Sequence, residues 1–259
     1  MIITRDDGRT WNQVRPLKLI YDLFGYADAS LLFELGNTKV MVSVSLQDKV
    51  PRFLKGGGKG WLTAEYAMLP SATKTRTRRE SSLGQRNSRS VEISRLIGRC
   101  LRCVVSLDGL GERTIVVDCD VLQADGGTRV ASITAASLLL EVAQQRWLEA
   151  GIIKKNILKQ QLAAISVGVL RDHVYLDLAQ NEDSSADADF NFVLTKAGDV
   201  VEIQGTSEQK PTSWENFDLL KKTALSGVEQ LFAMSSIVAS PSQKIVRKRE
   251  DQNNHQASA

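Results

Sequence analysis

Strand-length apolar segments followed by helix-length ones occur twice along this sequence, and this order limits the possible folds more than any other feature. Apolar and polar residues alternate in the first kind of segment, whereas apolar residues recur every three or four positions in the second. The first series predicts strands at 31–35, 40–45, 61–69 and 112–122 and helices at 90–107 and 129–150. The second series predicts strands at 162–170, 173–178, 187–194 and 199–205 and a closing helix at 213–234.

This order of elements predicts an α+β fold of two similar strand-strand-helix (βαβα-type) halves within one domain over residues 1–236. With 259 residues, 42% of them hydrophobic, the chain is long and apolar enough to bury a core of that size. Residues 237–259 are mostly polar, and we expect them to form a disordered tail.

The three cysteines, Cys100, Cys103 and Cys119, are too few and too closely spaced for a disulfide framework, which favours a reducing, cytoplasmic location. Cys100 and Cys103 form a CxxC pair inside a predicted helix with no second ligand pair, so we interpret them as core residues rather than zinc or redox residues. The sequence begins without a signal-peptide pattern and contains no run long and apolar enough to span a membrane.

Charge is distributed unevenly, although the formal net charge is only +3. Residues 71–102 carry nine basic and two acidic side chains, a local net charge of +7. Residues 172–189 carry six acidic side chains and no lysine or arginine. A basic segment together with an acidic one suits an enzyme that grips phosphates and also uses carboxylates or a metal.

The sequence offers no activated nucleophile. Its histidines are His173, in a predicted strand, and His255, in the polar tail, so a Ser/His or Cys/His mechanism is unfavoured. The glycine-rich run at 56–60 lacks the spacing of a nucleotide-binding P-loop, because Lys59 is followed by Gly60 and no helix begins there.

Gly126–Arg129 is a better candidate anion site, because it lies between a predicted strand and a predicted helix. Glycines allow close approach of the backbone, and free N–H groups at a helix start attract anions. Thr128 adds a hydroxyl and Arg129 a permanent positive charge. A simple helix start with a surface arginine is the alternative interpretation.

The acidic stretch offers two further candidates. Asp187 and Asp189 are two positions apart and would share one face of a strand. Asp183 and Asp189 converge only if the chain turns near Ser184–Ser185. Converging carboxylates would raise one another's pKa or bind a divalent cation. A solvated acidic loop is the alternative.

Seven segments, in this order, resemble the ribonuclease PH family of phosphate-dependent 3′→5′ exoribonucleases. The resemblance spans roughly residues 5–235. The segments are GNTKV at 36–40, VPRFLKGGGKGWLTAEYAMLP at 50–70, RLIGRCLR at 95–102, LGERTIVVDCDVLQADGGTR at 110–129, LAAISVGV at 162–169, EDSSADADFN at 182–191 and EIQGTSE at 202–208.

The resemblance implies a role for ten residues of this chain. They match the family's phosphate-binding positions (Arg89, Gly127, Thr128, Arg129), the two carboxylates that serve the metal and catalysis (Asp183, Asp189) and RNA-binding positions (Arg76, Arg78, Arg79, Arg99). Two departures from the family pattern stand out. The usual Gly-Arg-Thr-Met-Glu reads Ser-Arg-Ser-Val-Glu at 88–92, and an arginine often found after the Leu-Pro is Ser71.

The resemblance also implies an activity and partners. Inorganic phosphate would be the co-substrate and Mg²⁺ the cofactor, tRNA precursors the substrate, and nucleoside 5′-diphosphates the products of a reversible reaction. The family's assembly implies a homohexamer built as a trimer of dimers; neither a membrane nor DNA is an expected partner. Two alternatives are a ring subunit that binds RNA without catalysis and a hydrolytic, metal-dependent nuclease. The matched arginines and carboxylates argue against the first, and the shortage of paired acids and histidines argues against the second.

Overall fold

Nine strands of the computed structural model, which describes residues 5–82, 84 and 87–238, form two sheets. The first sheet has the order β1-β2-β3-β5-β4. Its strands are β1 (Leu17–Tyr21), β2 (Ala29–Leu35), β3 (Thr38–Gln47), β4 (Trp61–Met68) and β5 (Thr114–Gln123). Neighbours are antiparallel except β4 and β5, which run parallel because a helical segment crosses over between them. Sequence patterns predicted every strand of this sheet except β1.

The second sheet is antiparallel throughout, in the order β7-β6-β8-β9. Its strands are β6 (Leu162–Leu170), β7 (His173–Leu176), β8 (Ala188–Thr195) and β9 (Val200–Ser207). All four were predicted. Eight consecutive residues of β6 are buried, so both faces of this strand are covered.

Five α-helices complete the described part of the chain. They are α1 (Ser88–Val104), α2 (Leu107–Leu110), α3 (Thr128–Glu149), α4 (Gln180–Asp183) and α5 (Trp214–Val238). The predicted stripe of α1 is confirmed, since Leu96, Ile97 and Leu101 are buried. The two single-turn helices α2 and α4 were not predicted.

Helix α3 lies between the two sheets. It contacts β2 and β3 of the first sheet and β6 of the second, and α5 packs against β6 and β7 as well. Fifteen of the 22 residues of α3 are buried, which is more than one amphipathic face supplies, so the helix must be covered on opposite sides. Its buried hydroxyls are satisfied: Thr134 Oγ1 and Ser137 Oγ accept the N–H groups of Ala164 and Leu162 at 2.9 and 3.0 Å.

Two sheets with helices in both halves confirm the predicted α+β fold class. Helix α5 reaches Val238, so the first two residues of the tail predicted at 237–259 are helical, and the rest of that tail lies outside the described residues. Arg86 of the basic segment also lies outside them. No described helix is both long and apolar enough to cross a membrane.

The core interpretation of the CxxC pair is correct for one cysteine and wrong for the other. Cys100 is buried, and burial followed by the charge of Glu202 raises the pKa of its thiol to about 12. Cys103, one turn further along α1, is exposed. Both thiols are free, and the described residues contain no group of three or more side chains suited to a metal ion.

The turn between β5 and α3 packs tightly against the chain that leads into α4. Gly126 has φ of +80°, and a Cβ built there would lie 2.5 Å from the carbonyl oxygen of Leu178. Gly56 has nearly the same φ, +82°, but nothing lies within 4 Å of its Cβ position. The two glycines therefore share a backbone conformation and differ in the space around them.

We expect Gly126→Ala to reduce the free energy of unfolding more than Gly56→Ala does. Both changes carry the cost of a left-handed alanine, about 1–2 kcal/mol. The backbone clash at Gly126 should add roughly 1–3 kcal/mol more. Urea unfolding of the two variants measures the difference, and equal losses would show that this turn has room to move.

Candidate active site

The start of α3 forms part of the lining of a cavity, and its first backbone N–H groups have no partner within the helix. Gly127 is its N-cap residue, with φ of +67°, and no described side chain caps the helix. These N–H groups and the positive end of the helix dipole form a site for an anion. This supports the anion-site interpretation of Gly126–Arg129 over a plain helix start.

Thr128 is held by a tyrosine that the sequence reasoning missed. The hydroxyls of Thr128 and Tyr66 lie 2.9 Å apart and are buried. Burial raises the pKa of Tyr66, so the ring keeps its proton and can donate it to Thr128. Either hydroxyl can be the donor in this pair; when Tyr66 donates, the Thr128 hydroxyl keeps its own proton for an anion. The sequence did offer a signal for Tyr66. It lies on the same buried face of β4 as Leu62 and Ala64, where a tyrosine hydroxyl needs a hydrogen-bond partner.

Two arginines line the same cavity, whose volume is about 530 Å³. Arg89 lies in the first turn of α1, where the Asn87 side chain accepts its backbone N–H at 3.0 Å and caps the helix. Arg129 follows Thr128, and its Nη1 donates to Gln204 Oε1 at 3.0 Å. The first contact fixes the start of α1 and the second orients the guanidinium of Arg129, so two permanent positive charges line the cavity next to the start of α3.

The predicted turn near Ser184–Ser185 brings Asp183 and Asp189 into the cavity. Asp183 ends α4, the chain turns back, and Asp189 lies on β8. Burial, then the charge of Asp189, raises the pKa of Asp183, while Arg89 and Arg129 oppose the rise. Burial, then the charge of Glu208, raises the pKa of Asp189. The carboxylates are close enough to repel one another, as converging acids do.

Asp187 has a different environment from Asp189. It precedes β8 and accepts the backbone N–H of Arg171 at 3.1 Å, with Lys210 Nζ 3.9 Å away. Asp189, by contrast, lines the cavity. We expected the two aspartates to share one face of a strand. The strand begins only at Ala188, however, so Asp187 lies before it and accepts a hydrogen bond from the turn between β6 and β7.

The predicted RNA-binding arginines lie outside the cavity lining. Arg76, Arg78 and Arg79 are exposed on the segment that follows β4. That segment passes the cavity, since Thr73 lines it and Lys74 Nζ donates to Asn181 Oδ1 at 3.3 Å. Arg99 is further along α1 and pairs with Glu202, Nε to Oε2, at 2.9 Å.

Several polar residues of the cavity were missed by the sequence reasoning. They come from the second sheet and the segment just after it: Ser166, Asn191, Gln204, Thr206 and Glu208. Polar residues inside or just after predicted strands were the available signal. Which strand faces meet the start of α3 was not evident from the pattern, so these residues were not selected.

The donor set fits Mg²⁺ held jointly by protein and substrate. The described residues contain no cluster of three or more ligating side chains, so they do not form a metal site from protein ligands alone. Two carboxylates, Asp183 and Asp189, line the cavity beside the proposed anion site. Mg²⁺ is commonly bound by one or two carboxylates together with substrate phosphates.

Comparison with known proteins places the chain in a family. Residues 13–144 match the model described as "3' exoribonuclease family, domain 1", and residues 160–224 match domain 2 of the same family. The chain therefore belongs to the 3′ exoribonuclease family. Ribonuclease PH of Bacillus subtilis (strain 168) is 50% identical to it over 228 residues, which are 88% of this chain and 93% of that protein.

A second relative and a solved structure agree with this assignment. Ribonuclease PH of Dehalococcoides mccartyi (strain ATCC BAA-2266 / KCTC 15142 / 195) is 46% identical over 237 residues, covering 92% of this chain and 99% of that protein. The resemblance found in the sequence is thereby confirmed. The crystal structure of rice (Oryza sativa) Rrp46 has the same fold, with a TM-score of 0.74, 21% identity, and coverage of 91% of this chain and 100% of that one.

We expect Glu208→Gln to lower the pKa of Asp189. The Glu208 charge favours the protonated form of Asp189, so removing that charge keeps Asp189 ionised to a lower pH. Carboxyl ¹³C NMR titration of the metal-free chain measures the shift. Asp172→Asn, at an exposed carboxylate paired with Lys210, is the control and should leave Asp189 unchanged. An unchanged pKa in Glu208→Gln would mean that Glu208 does not act on the carboxylate pair.

Proposed function

We propose that this chain is a phosphate-dependent 3′→5′ exoribonuclease that removes the nucleotides lying 3′ of the CCA end of tRNA precursors. The observation that carries the proposal is one cavity in which the start of α3, Arg89 and Arg129 face Asp183 and Asp189. Such a cavity holds an inorganic phosphate and an RNA phosphodiester side by side. Its ribonuclease PH relatives, similar over most of their length, support the same activity.

Phosphorolysis needs no histidine or cysteine, and none is present among the described residues that line the cavity. An oxygen of inorganic phosphate is itself the nucleophile and forms a bond to the phosphorus of the last phosphodiester. The bond from that phosphorus to the 3′ oxygen breaks, and the 3′ oxygen takes up a proton. The products are a nucleoside 5′-diphosphate and an RNA shorter by one nucleotide. Because the two linkages are similar in energy, abundant diphosphates drive the reaction backwards and extend the RNA.

The residues of the cavity divide between the two anions. Arg89, Thr128 and Arg129 bind and orient inorganic phosphate, and the N–H groups of α3 neutralise part of its charge. Asp183 and Asp189 would hold Mg²⁺, which supplies positive charge to the phosphoryl oxygens when it is bound. Asp189 has an alternative role: when it is not a Mg²⁺ ligand, its raised pKa suits it to give the leaving 3′ oxygen its proton, whereas a metal-bound carboxylate is ionised.

RNA outside the cavity is bound by positive charge. Arg76, Arg78 and Arg79 are exposed beside the cavity entrance and contact the phosphate backbone. Arg99 joins them when RNA displaces its partner Glu202. The proposed RNA substrate and the cysteine content support a cytoplasmic location.

The proposed activity is tested by identifying the released nucleotide. A tRNA precursor labelled in its 3′ trailer is incubated with Mg²⁺, with and without inorganic phosphate. We expect nucleoside diphosphates in the presence of phosphate and at least about 100-fold slower release without it, since phosphate is the nucleophile. Monophosphates formed without phosphate would instead identify a hydrolytic nuclease.

We further propose that the chain forms a homohexamer, a trimer of dimers. Several copies of the +7 segment around one ring would concentrate positive potential where a tRNA docks. Light scattering at micromolar concentration is expected to give about six times the 28.5 kDa of one chain. A fully active species with the mass of one chain would contradict the ring.

A further inference from the structure

We propose that Asp177 is the centre of a buried ion-pair clamp that sets the spacing between the phosphate-binding turn and the carboxylate pair. The inference rests on the proposed function, because it concerns how the same cavity is held in shape. Asp177 lies between β7 and α4, is fully buried, and has φ of +51°. A buried carboxylate in this backbone conformation persists only where its surroundings fix it.

Three arginines from the first fifteen residues surround Asp177. Arg5, Arg9 and Arg15 are each at most 5% exposed, so their charges are nearly removed from water. Burying that much charge gives little net stability, even when the charges are paired. What such a network does provide is a fixed geometry, because each guanidinium has several donors in a rigid plane.

Arg15 connects Asp177 to the turn before α3. Its Nη2 donates to Asp177 Oδ1 at 2.7 Å, and its Nε donates to Asp177 Oδ2 at 2.9 Å. Its Nη1 donates to the carbonyl oxygen of Asp125 at 2.6 Å. Thr38 Oγ1 donates to the carbonyl oxygen of Gly126 at 2.7 Å and holds the same turn from β3. The position of the first free N–H groups of α3 therefore depends on Arg15.

Arg5 connects Asp177 to the carboxylate pair. Its Nη2 donates to the carbonyl oxygen of Asp177 at 2.9 Å, and its Nε donates to Glu182 Oε1 at 2.6 Å. Glu182 in turn accepts the backbone N–H of Ala179 at 2.8 Å and so holds the start of α4. Asp183 is the next residue and the last of that helix. Its position therefore depends on Arg5 through Glu182.

None of the residues in this clamp lines the cavity, so they are positioning residues rather than catalytic ones. The clamp has two arms that meet at Asp177. The Arg15 arm holds the group that binds phosphate, and the arm made of Arg5 and Glu182 holds the group that binds the cation. If these residues only stabilised the fold, changing any of them would weaken phosphate binding and cation binding together. With two separate arms, a change in one arm weakens mainly the binding of the ligand that this arm serves.

The test compares Arg15→Lys with Glu182→Gln in the full chain. Lysine cannot span Asp177 and the turn at once, and glutamine keeps an acceptor for Ala179 but loses the charge that holds Arg5. Binding of inorganic phosphate is measured by equilibrium dialysis with Mg²⁺ and without RNA. Binding of Mn²⁺ is measured by electron paramagnetic resonance without phosphate. Both probes work on a chain that is not turning over substrate.

We expect Arg15→Lys to weaken phosphate binding by about 10-fold and Mn²⁺ binding by less than about 2-fold. We expect the reverse for Glu182→Gln, since loss of a residue that orients a metal ligand typically costs about 10–100-fold in metal affinity. Arg5→Lys should follow Glu182→Gln, which keeps the second arm testable if one variant fails to fold. Equal losses of both ligands, or no loss of either, would overturn the clamp.

Arg146→Lys is the matched control. Arg146 pairs with Asp22, Nη2 to Oδ2, at 2.7 Å and is largely but less completely buried; it lies in the last turn of α3, far from Thr128. Binding of both ligands should be unchanged in this variant. A wild-type chain that binds no Mn²⁺ would overturn the Arg5 arm. A wild-type chain that binds both ligands but releases no diphosphate would contradict the proposed function and leave the clamp standing.

Discussion

Burial of α3 between the two sheets is the constraint on which the rest of the structure depends. The helix is apolar on nearly all sides, so neither sheet alone could cover it, and the two halves of the chain must close around it. Two of its buried hydroxyls, those of Thr134 and Ser137, bond to β6, which fixes its rotation and depth as well as its position. A helix held in this way has its first turn fixed in space, and that turn is the group that faces the anion.

The cavity lies where the two halves meet, and each half supplies charge of one sign. The first half contributes the start of α3, together with Arg89 and Arg129, and the second contributes Asp183, Asp189 and Glu208. Burial raises the pKa of both aspartates, and the neighbouring arginines limit that rise for Asp183. The side of the cavity that carries the arginines therefore attracts a substrate phosphate, and the side that carries the carboxylates attracts a cation.

Sequence patterns predicted most of the fold because most elements have one clearly buried face. The exceptions have physical reasons. Strand β1 has five residues and only one of them is buried, so its alternation carries little signal. Helix α4 is a single turn, too short for any periodicity, and its shape depends on Arg5, which is 177 positions away from Glu182.

The site could be predicted only in part. Glycine beside a helix start and clustered carboxylates were visible as candidates, yet nothing in their spacing joined Asp183 to Thr128; the resemblance supplied that link. The partners that orient these groups, such as Tyr66 and Gln204, became evident only from the contacts. The exposed thiol of Cys103 has a practical consequence of another kind. Cys100 and Cys119 are buried with raised pKa values, so a maleimide dye should label the folded chain at one position, on the helix whose first turn carries Arg89. The native chain thus already carries a unique attachment point for a fluorophore, without removal of any cysteine.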